Sequence, residues 1–281
     1  MRRFKTVAIV GVGLIGGSIG LALRHRGIVD SVVGIGRRQA SLRTARRLGA
    51  VTSTTVDLAK GVVDAELILI CTPVGRIVDD VRRAAQHCPE GSLITDAGSA
   101  KGAIVASLDG GLGRGCRFLG SHPLAGSEKA GPAHARADLF EGRIVVLTPT
   151  KNTHAEDFDT LESFWSALGS VVIQMPAEDH DRALAITSHL PHLASAAMAA
   201  VLPENCFRLT GTGVLDVTRI ASGDPELWAQ IALQNRENIL TSMDKFQGQF
   251  SALRAAVEAR DVDTLRNLLA VAKKNRDAMG S

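Results

Sequence analysis

Val7-Ala8-Ile9-Val10-Gly11-Val12-Gly13-Leu14-Ile15-Gly16-Gly17-Ser18-Ile19-Gly20 decides how this chain begins to fold. Four apolar residues, three of them β-branched, suit a buried strand, and the periodic stretch 14–26 suits a helix. Between the two stands Gly-x-Gly-x-x-Gly at positions 11, 13 and 16. The first glycine allows a tight turn, the second lets the backbone approach a pyrophosphate, and the third lets the helix lie close on the strand. Leu14 and Ile15 complete the turn, where the amides of the helix N-terminus offer partial positive charge to a phosphate. The pattern is weak alone, and the strand-turn-helix context makes it specific. The uncharged run 6–23 behind a basic head also resembles a signal peptide or an anchor. Five glycines inside it, and its direct passage into an Arg-rich amphipathic stretch, favour the nucleotide turn, so no membrane association is expected.

In such a unit the adenosine ribose is read about twenty residues later, at the end of the second strand. That position is Gly36, where an NAD site would carry Asp or Glu, and Arg37 and Arg38 follow it. A guanidinium binds a 2′-phosphate bidentately, so NADP is expected, with NAD as the alternative. The same two arginines also fit the start of a basic, solvated helix with Arg43, Arg46 and Arg47.

Outward from this unit, short β-branched runs at 7–10, 31–35, 67–71, 92–96, 118–120, 144–147 and 171–174 alternate with helical patterns at 14–26, 39–48, 77–87 and 158–168. Alternation of this kind predicts a parallel sheet covered on both faces. After Pro176 the strand signal ends, and Ala/Leu-rich periodic stretches run to Met279. The expected organisation is a Rossmann-type dinucleotide-binding domain over 1–176 and an all-helical domain over 177–281, to which the family resemblance named below adds substrate binding and dimerisation. With the helical pattern running almost to Ser281, no appended regulatory domain is expected.

Composition narrows the function classes. Of 281 residues, 45% are hydrophobic and 22% charged, enough for a real core and too apolar for disorder. A net charge of +3 predicts no nucleic-acid partner. The four cysteines, Cys71, Cys88, Cys116 and Cys206, form no C-x-x-C pair and read as reduced thiols of a cytoplasmic protein.

Several motifs carry candidate chemistry. Cys71, Thr72 and Pro73 end one predicted strand, at the sheet edge that would face a cofactor. Asp96-Ala97-Gly98-Ser99-Ala100-Lys101 ends the next, with Ser99 placed to cap the following helix. Gly120-Ser121-His122-Pro123 sets a histidine in a loop just after a short strand, which makes it either a general base or a structural residue. His189 and His192 share a helix face three residues apart, with Pro191 predicting a bend, and no third ligand accompanies them, so no metal is expected. Asp216 and Arg219 are likewise three apart, which locally suits a surface ion pair.

Together GVGLIGGSIG (11–20), LICTPV (69–74), DAGSAKG (96–102), GSHPLAGSE (120–128), SHLPH (188–192) and TRIASGDPELW (218–228) closely resemble the prephenate and arogenate dehydrogenases of tyrosine biosynthesis, in order and over essentially the whole chain. The resemblance implies an oxidoreductase that decarboxylates a cyclohexadienol while hydride passes to a nicotinamide. It implies that His122 accepts the ring hydroxyl proton and that Ser99 binds the same hydroxyl. It further implies that Arg219 holds a substrate carboxylate and that His192 touches substrate, with His189, Ser127, Glu128 and Asp216 around the pocket. A histidine at 192 tilts the implied substrate toward prephenate. Apolar spacing at Ile231, Leu233, Ile239, Leu240, Phe246, Phe250 and Leu253 suits the homodimer that this family forms through its helical domain. Two other readings stand beside it. A β-hydroxyacid or 6-phosphogluconate-type dehydrogenase would use a lysine where this chain offers histidines, and a non-catalytic NADP-binding sensor would have no use for Ser99, His122 and Arg219.

Overall fold

In the computed structural model, which describes residues 3–280, strand β1 (Phe4–Val10) passes through the glycine turn into helix α1 (Leu14–Arg26). The alternation continues through β2 (Val29–Ile35), α2 (Gln39–Arg47), β3 (Ser53–Thr55), α3 (Leu58–Val62), β4 (Leu67–Ile70), α4 (Ile77–Ala85), β5 (Leu93–Asp96), α5 (Gly102–Leu108) and β6 (Arg117–Phe118). The six strands are all parallel, in the order β3-β2-β1-β4-β5-β6. In this doubly wound order ligands bind beyond the carboxyl ends of the strands.

Successive residues feed opposite faces of the sheet. Val7, Ile9, Leu67 and Leu69 pack with Ile19 and Leu23 of α1, whereas Ala8, Val10, Ile68 and Ile70 pack with Ile77 and Val81 of α4. Burial on both sides explains why these strands read as continuous apolar runs.

Two of the predicted strands belong elsewhere. β7 (Gly120–Pro123), β8 (Ile144–Thr148) and β9 (Val171–Gln174) form a second sheet, antiparallel between β7 and β8 and parallel between β8 and β9. Val145 and Leu147 of β8 join the α1-side core, with Leu161, Phe164 and Trp165 of α6 (Ala155–Ala167). The segment expected as one strand over 118–120 is where the chain changes sheets: Leu119 lies between β6 and β7, its amide bonded to the Ile94 carbonyl at 3.1 Å. β3 consists of Ser and Thr residues at the sheet's edge, so no apolar run announced it.

From Ala177 the described chain is helical: α7 (Ala177–Leu184), a π-helical turn (Ala185–His189), α8 (Leu190–Ala200), α9 (Thr212–Thr218) and α10 (Pro225–Gln234). Pro191 lies two residues after the π turn, inside an unbroken helical run from Ala177 through Ala200, and the irregularity that a proline there predicts takes the form of that π turn. Two compact units result, one through Asn235 and one from Arg236. The second is a hairpin of α11 (Arg236–Glu258) and α12 (Val262–Ala278), whose start is capped by the Asp261 carboxylate accepting from the Thr264 amide at 3.0 Å. No helix among the described residues is long and apolar enough to cross a membrane.

Candidate active site

The glycine turn is held between the ends of β2 and β4. The Gly11 amide donates to the Ile35 carbonyl at 2.8 Å, and Gly11 adopts φ +99°, a left-handed conformation. A Cβ there would lie 2.5 Å from the Cys71 carbonyl oxygen, so the Cys71-Thr72-Pro73 backbone presses directly on the turn. Gly13 begins α1 with no side chain capping the helix and no acid in its first turn, and nothing lies within 4 Å of where its Cβ would be. This is an open, uncapped cradle for a pyrophosphate, flanked by Leu14, Ile15 and Gly16. Thr72 Oγ1 is buried beside it without a hydrogen-bond partner. At the end of β2, Gly36 leads into Arg37 and Arg38, both exposed and without an ion pair among the described residues. These features fit a dinucleotide, with the arginines where the adenosine ribose is read.

At the far side of the same sheet edge, Asp96 and Thr95 pin the second sheet to the first. The Asp96 carboxylate accepts from the Ser121 amide at 3.2 Å and from Lys101 Nζ, and Thr95 donates to the Leu119 carbonyl at 2.7 Å. His122 therefore lies inside β7 rather than in a loop after a strand, because pairing with Val146 of β8 extends the strand through it. Its Nδ1 is 2.8 Å from Nε2 of His180 on α7, whose Nδ1 is 2.8 Å from Asp181 Oδ1. The Asp181 carboxylate also accepts from the amides of Lys101 and Gly102, at 2.7 and 2.8 Å. Burial, followed by the neighbouring His180, Lys101 and His189, holds the His122 imidazole well below its ordinary pKa. The ring is neutral at pH 7.

Ser99 does not cap α5. The helix begins at Gly102 after Lys101 with no cap from its own segment, and Asp181 of α7 takes that role through the two amides. Half-buried on the loop after β5, the Ser99 hydroxyl makes no hydrogen bond with His122 or any other described residue. That leaves it free for a ligand.

A cavity of about 970 Å³ is lined by His122, Ser127, Glu128, His192, Arg219 and Trp228, among others. The His192 ring stacks on Trp228, with centroids 3.5 Å apart and planes within 9°. Gly223 permits this close approach, since a Cβ on it would lie 2.5 Å from Trp228 Nε1. His192 is 5% exposed with an unpartnered buried Nδ1, and burial lowers its pKa. Arg219 follows the end of α9, and its Nη1 is 3.1 Å from Glu128 Oε2. The ion pair at Arg219 is therefore with Glu128 across the fold, while Asp216 is exposed, forms no ion pair among the described residues and lies outside the cavity wall. His189, 1% exposed, lies behind the wall with Nδ1 beside Asn235 Nδ2 at 3.1 Å. Burial takes its pKa down to about 4, against the opposing pull of Asp181.

Three participants escaped the sequence reading: His180, Asp181 and Trp228. Trp228 stood in a quoted motif without a role. His180 and Asp181 sit in an ordinary amphipathic helix, and no local pattern announces a partner 58 positions away. Among the described residues no three His, Cys, Asp or Glu side chains gather as a metal site.

Comparison with known proteins gives the family. Residues 19–174 match the family model described as prephenate dehydrogenase, nucleotide-binding domain, and residues 176–271 match prephenate dehydrogenase, dimerization domain. The chain is 32% identical to the prephenate dehydrogenase of Bacillus subtilis over 99% of its length and 77% of that protein. It is also 32% identical to the cyclohexadienyl dehydrogenase of Zymomonas mobilis, covering 99% and 97% of the two chains. The crystal structure of Aquifex aeolicus prephenate dehydrogenase in complex with hydroxyphenyl propionate and NAD+ superposes with a TM-score of 0.90 at 31% identity, over 98% of each chain. This chain belongs to the prephenate dehydrogenase family and is an NAD(P)-dependent oxidoreductase.

Proposed function

We propose that the protein converts prephenate to 4-hydroxyphenylpyruvate with NADP+ as its preferred cofactor, working as a cytoplasmic homodimer. One observation carries the reading: a neutral, buried His122 lines the same cavity as His192 and Arg219, on a strand that Asp96 ties to the carboxyl edge of the six-stranded sheet, whose opening turn suits a pyrophosphate. NADP+, when bound along Gly11, Gly13 and Gly16 with its 2′-phosphate toward Arg37 and Arg38, supplies the hydride acceptor. His122 takes the proton of the ring hydroxyl, because an alcohol carbon becomes a good hydride donor only as its oxygen loses that proton. The free Ser99 hydroxyl orients the same group. Expulsion of CO₂ leaves the aromatic phenol. Arg219, already aimed by Glu128, offers the rest of its fork to the side-chain carboxylate, and the unpartnered Nδ1 of His192 suits a polar atom of the substrate.

Arogenate is the second reading, and Glu128 favours it, since a carboxylate on the cavity wall suits an ammonium where prephenate has a keto oxygen. The dimer reading is supported by the second compact unit, whose α11 exposes Leu240, Met243, Phe246 and Phe250. The cytoplasm suits the four free cysteines.

An assay of absorbance at 340 nm crossing prephenate and arogenate with NADP+ and NAD+ tests the whole reading. Prephenate with NADP+ should give the highest kcat/KM, and His122→Asn should lower kcat by on the order of 10²-fold or more in that pair. A clear preference for NAD+ would remove the argument from Arg37 and Arg38, and a preference for arogenate would transfer the assignment to the second substrate. Light scattering should return a dimer at micromolar concentration, and a stable monomer there would refute the dimer reading.

A further inference from the structure

We propose that His180 and Asp181 are positioning residues that hold His122 with its proton on Nδ1 and its lone pair on Nε2, and that accept the Nδ1 hydrogen bond when Nε2 takes up a proton. The inference rests on the reading of His122 as the proton acceptor and adds which nitrogen acts and what keeps it ready.

Donors and acceptors along a buried chain of hydrogen bonds fix each proton in turn. Asp181 receives hydrogen bonds from the Lys101 amide at 2.7 Å, the Gly102 amide at 2.8 Å and the His180 ring at 2.8 Å. Backbone amides only donate, so the carboxyl oxygens they meet must accept, and these bonds keep the group ionised. Burial pushes the Asp181 pKa up, but the His180 ring and the two amides outweigh it and hold the carboxyl below its usual range. An ionised carboxylate has no hydrogen to give, so His180 Nδ1 carries the proton of that bond. A neutral His180 then has its lone pair on Nε2, 2.8 Å from His122 Nδ1, which must be the donor. Only Nε2 of His122 is left with a lone pair, and no described residue occupies it.

Each link is built into the fold. His180 is fully buried on α7, Asp181 is 4% exposed, and the carboxylate also replaces the missing cap of α5. The loop between β5 and α5, which bears Ser99, is tied through Lys101 and Gly102 to the same carboxylate that orients the histidine pair. When a proton moves from the substrate hydroxyl to Nε2, the imidazolium remains hydrogen-bonded through Nδ1 to His180, whose other nitrogen faces the Asp181 charge. No proton need leave Nδ1 for this to stabilise the charged ring. A histidine whose tautomer is set by its second nitrogen is a recurrent arrangement in catalysis, and reversing the tautomer there costs far more than the lost bond.

Two measurements test it. Two-bond ¹H–¹⁵N correlation spectra of the wild-type protein with ¹⁵N-histidine, with the His122 signals identified by their loss in His122→Asn, should show Nδ1 protonated and Nε2 bare. In Asp181→Ala, no acceptor meets His180 Nδ1, so the bond that places the His180 proton there is lost. The variant leaves His180 free to donate from Nε2, which turns His122 Nδ1 into the acceptor and puts the His122 proton on Nε2. Its kcat should fall by on the order of 10²–10⁴-fold, unrecovered by raising pH, with KM and the NADP+ dissociation constant within about threefold of wild type. A wild-type His122 protonated on Nε2 overturns the proposal whatever the variant does, as does a folded Asp181→Ala with kcat within threefold of wild type. Normal turnover in His122→Asn would instead sink the underlying reading of His122.

Discussion

At the scale of single residues, chemistry here depends on groups whose alternatives have been removed. His122 is neutral because a buried ring surrounded by Lys101 and two more imidazoles has no favourable place for charge. Arg219 differs, being solvated and aimed by one carboxylate, with most of its donors still free. A lysine at that position would keep the charge and lose the planar fork, so Arg219→Lys should raise KM for prephenate about 10- to 100-fold while leaving cofactor affinity unchanged. Steady-state kinetics beside a cofactor titration checks both halves, and an unchanged KM would show that the guanidinium does not touch substrate. Sequence motifs singled out His122, Ser99, Arg219 and His192, because their neighbours are distinctive. His180 carries no such signature, and the ion pair of Arg219 with Glu128 joins positions 91 apart.

At the scale of elements, the glycine turn is the most local piece of the design. A Cβ on Gly16 would lie 2.1 Å from the Gly11 carbonyl oxygen, a backbone atom that cannot move without shifting β1 or α1. Gly16→Ala should therefore cost about 1–3 kcal/mol in thermal or denaturant unfolding and weaken dinucleotide binding together with it. Retained stability and affinity would mean that α1 can lift off the sheet freely. Boundaries of β1, β2, β4, α1 and α2 were legible to within a few residues because apolar period and turn residues are written locally. Two features were not. β8 and β9 have the same apolar texture as the main strands, and texture does not say which neighbour a strand pairs with. The cap of α5 comes from another helix, so the serine beside it in the chain was the wrong candidate.

At the scale of the whole molecule, burial of histidines couples folding to pH. His189 titrates at about 4 when folded and near 6.5 when exposed, so between these values the unfolded chain binds a proton that the folded one does not. Its contribution is complete above pH 6.5 and is lost as pH falls toward about 4, a loss on the order of 3 kcal/mol at most. Melting temperature should fall across that window, and His189→Gln should shrink the fall while lowering stability at pH 7. An unchanged pH slope in the variant would show that His189 does not carry the coupling. His122 acts with the same sign, so the acid limb of kcat/KM should lie below the ordinary imidazole value.

By itself, the sequence determined the doubly wound sheet, the glycine turn with arginines at the ribose position, and the helical texture after Pro176. Each is encoded by spacing within a few residues, where local sterics and hydropathy act without help. The tertiary structure alone decided that His122 meets His180, that Asp181 serves both a ring and a helix start, and that Trp228 backs His192. Those pairings depend on how separate elements dock. Docking is set by the summed packing of a core, to which no short stretch of chain holds the key.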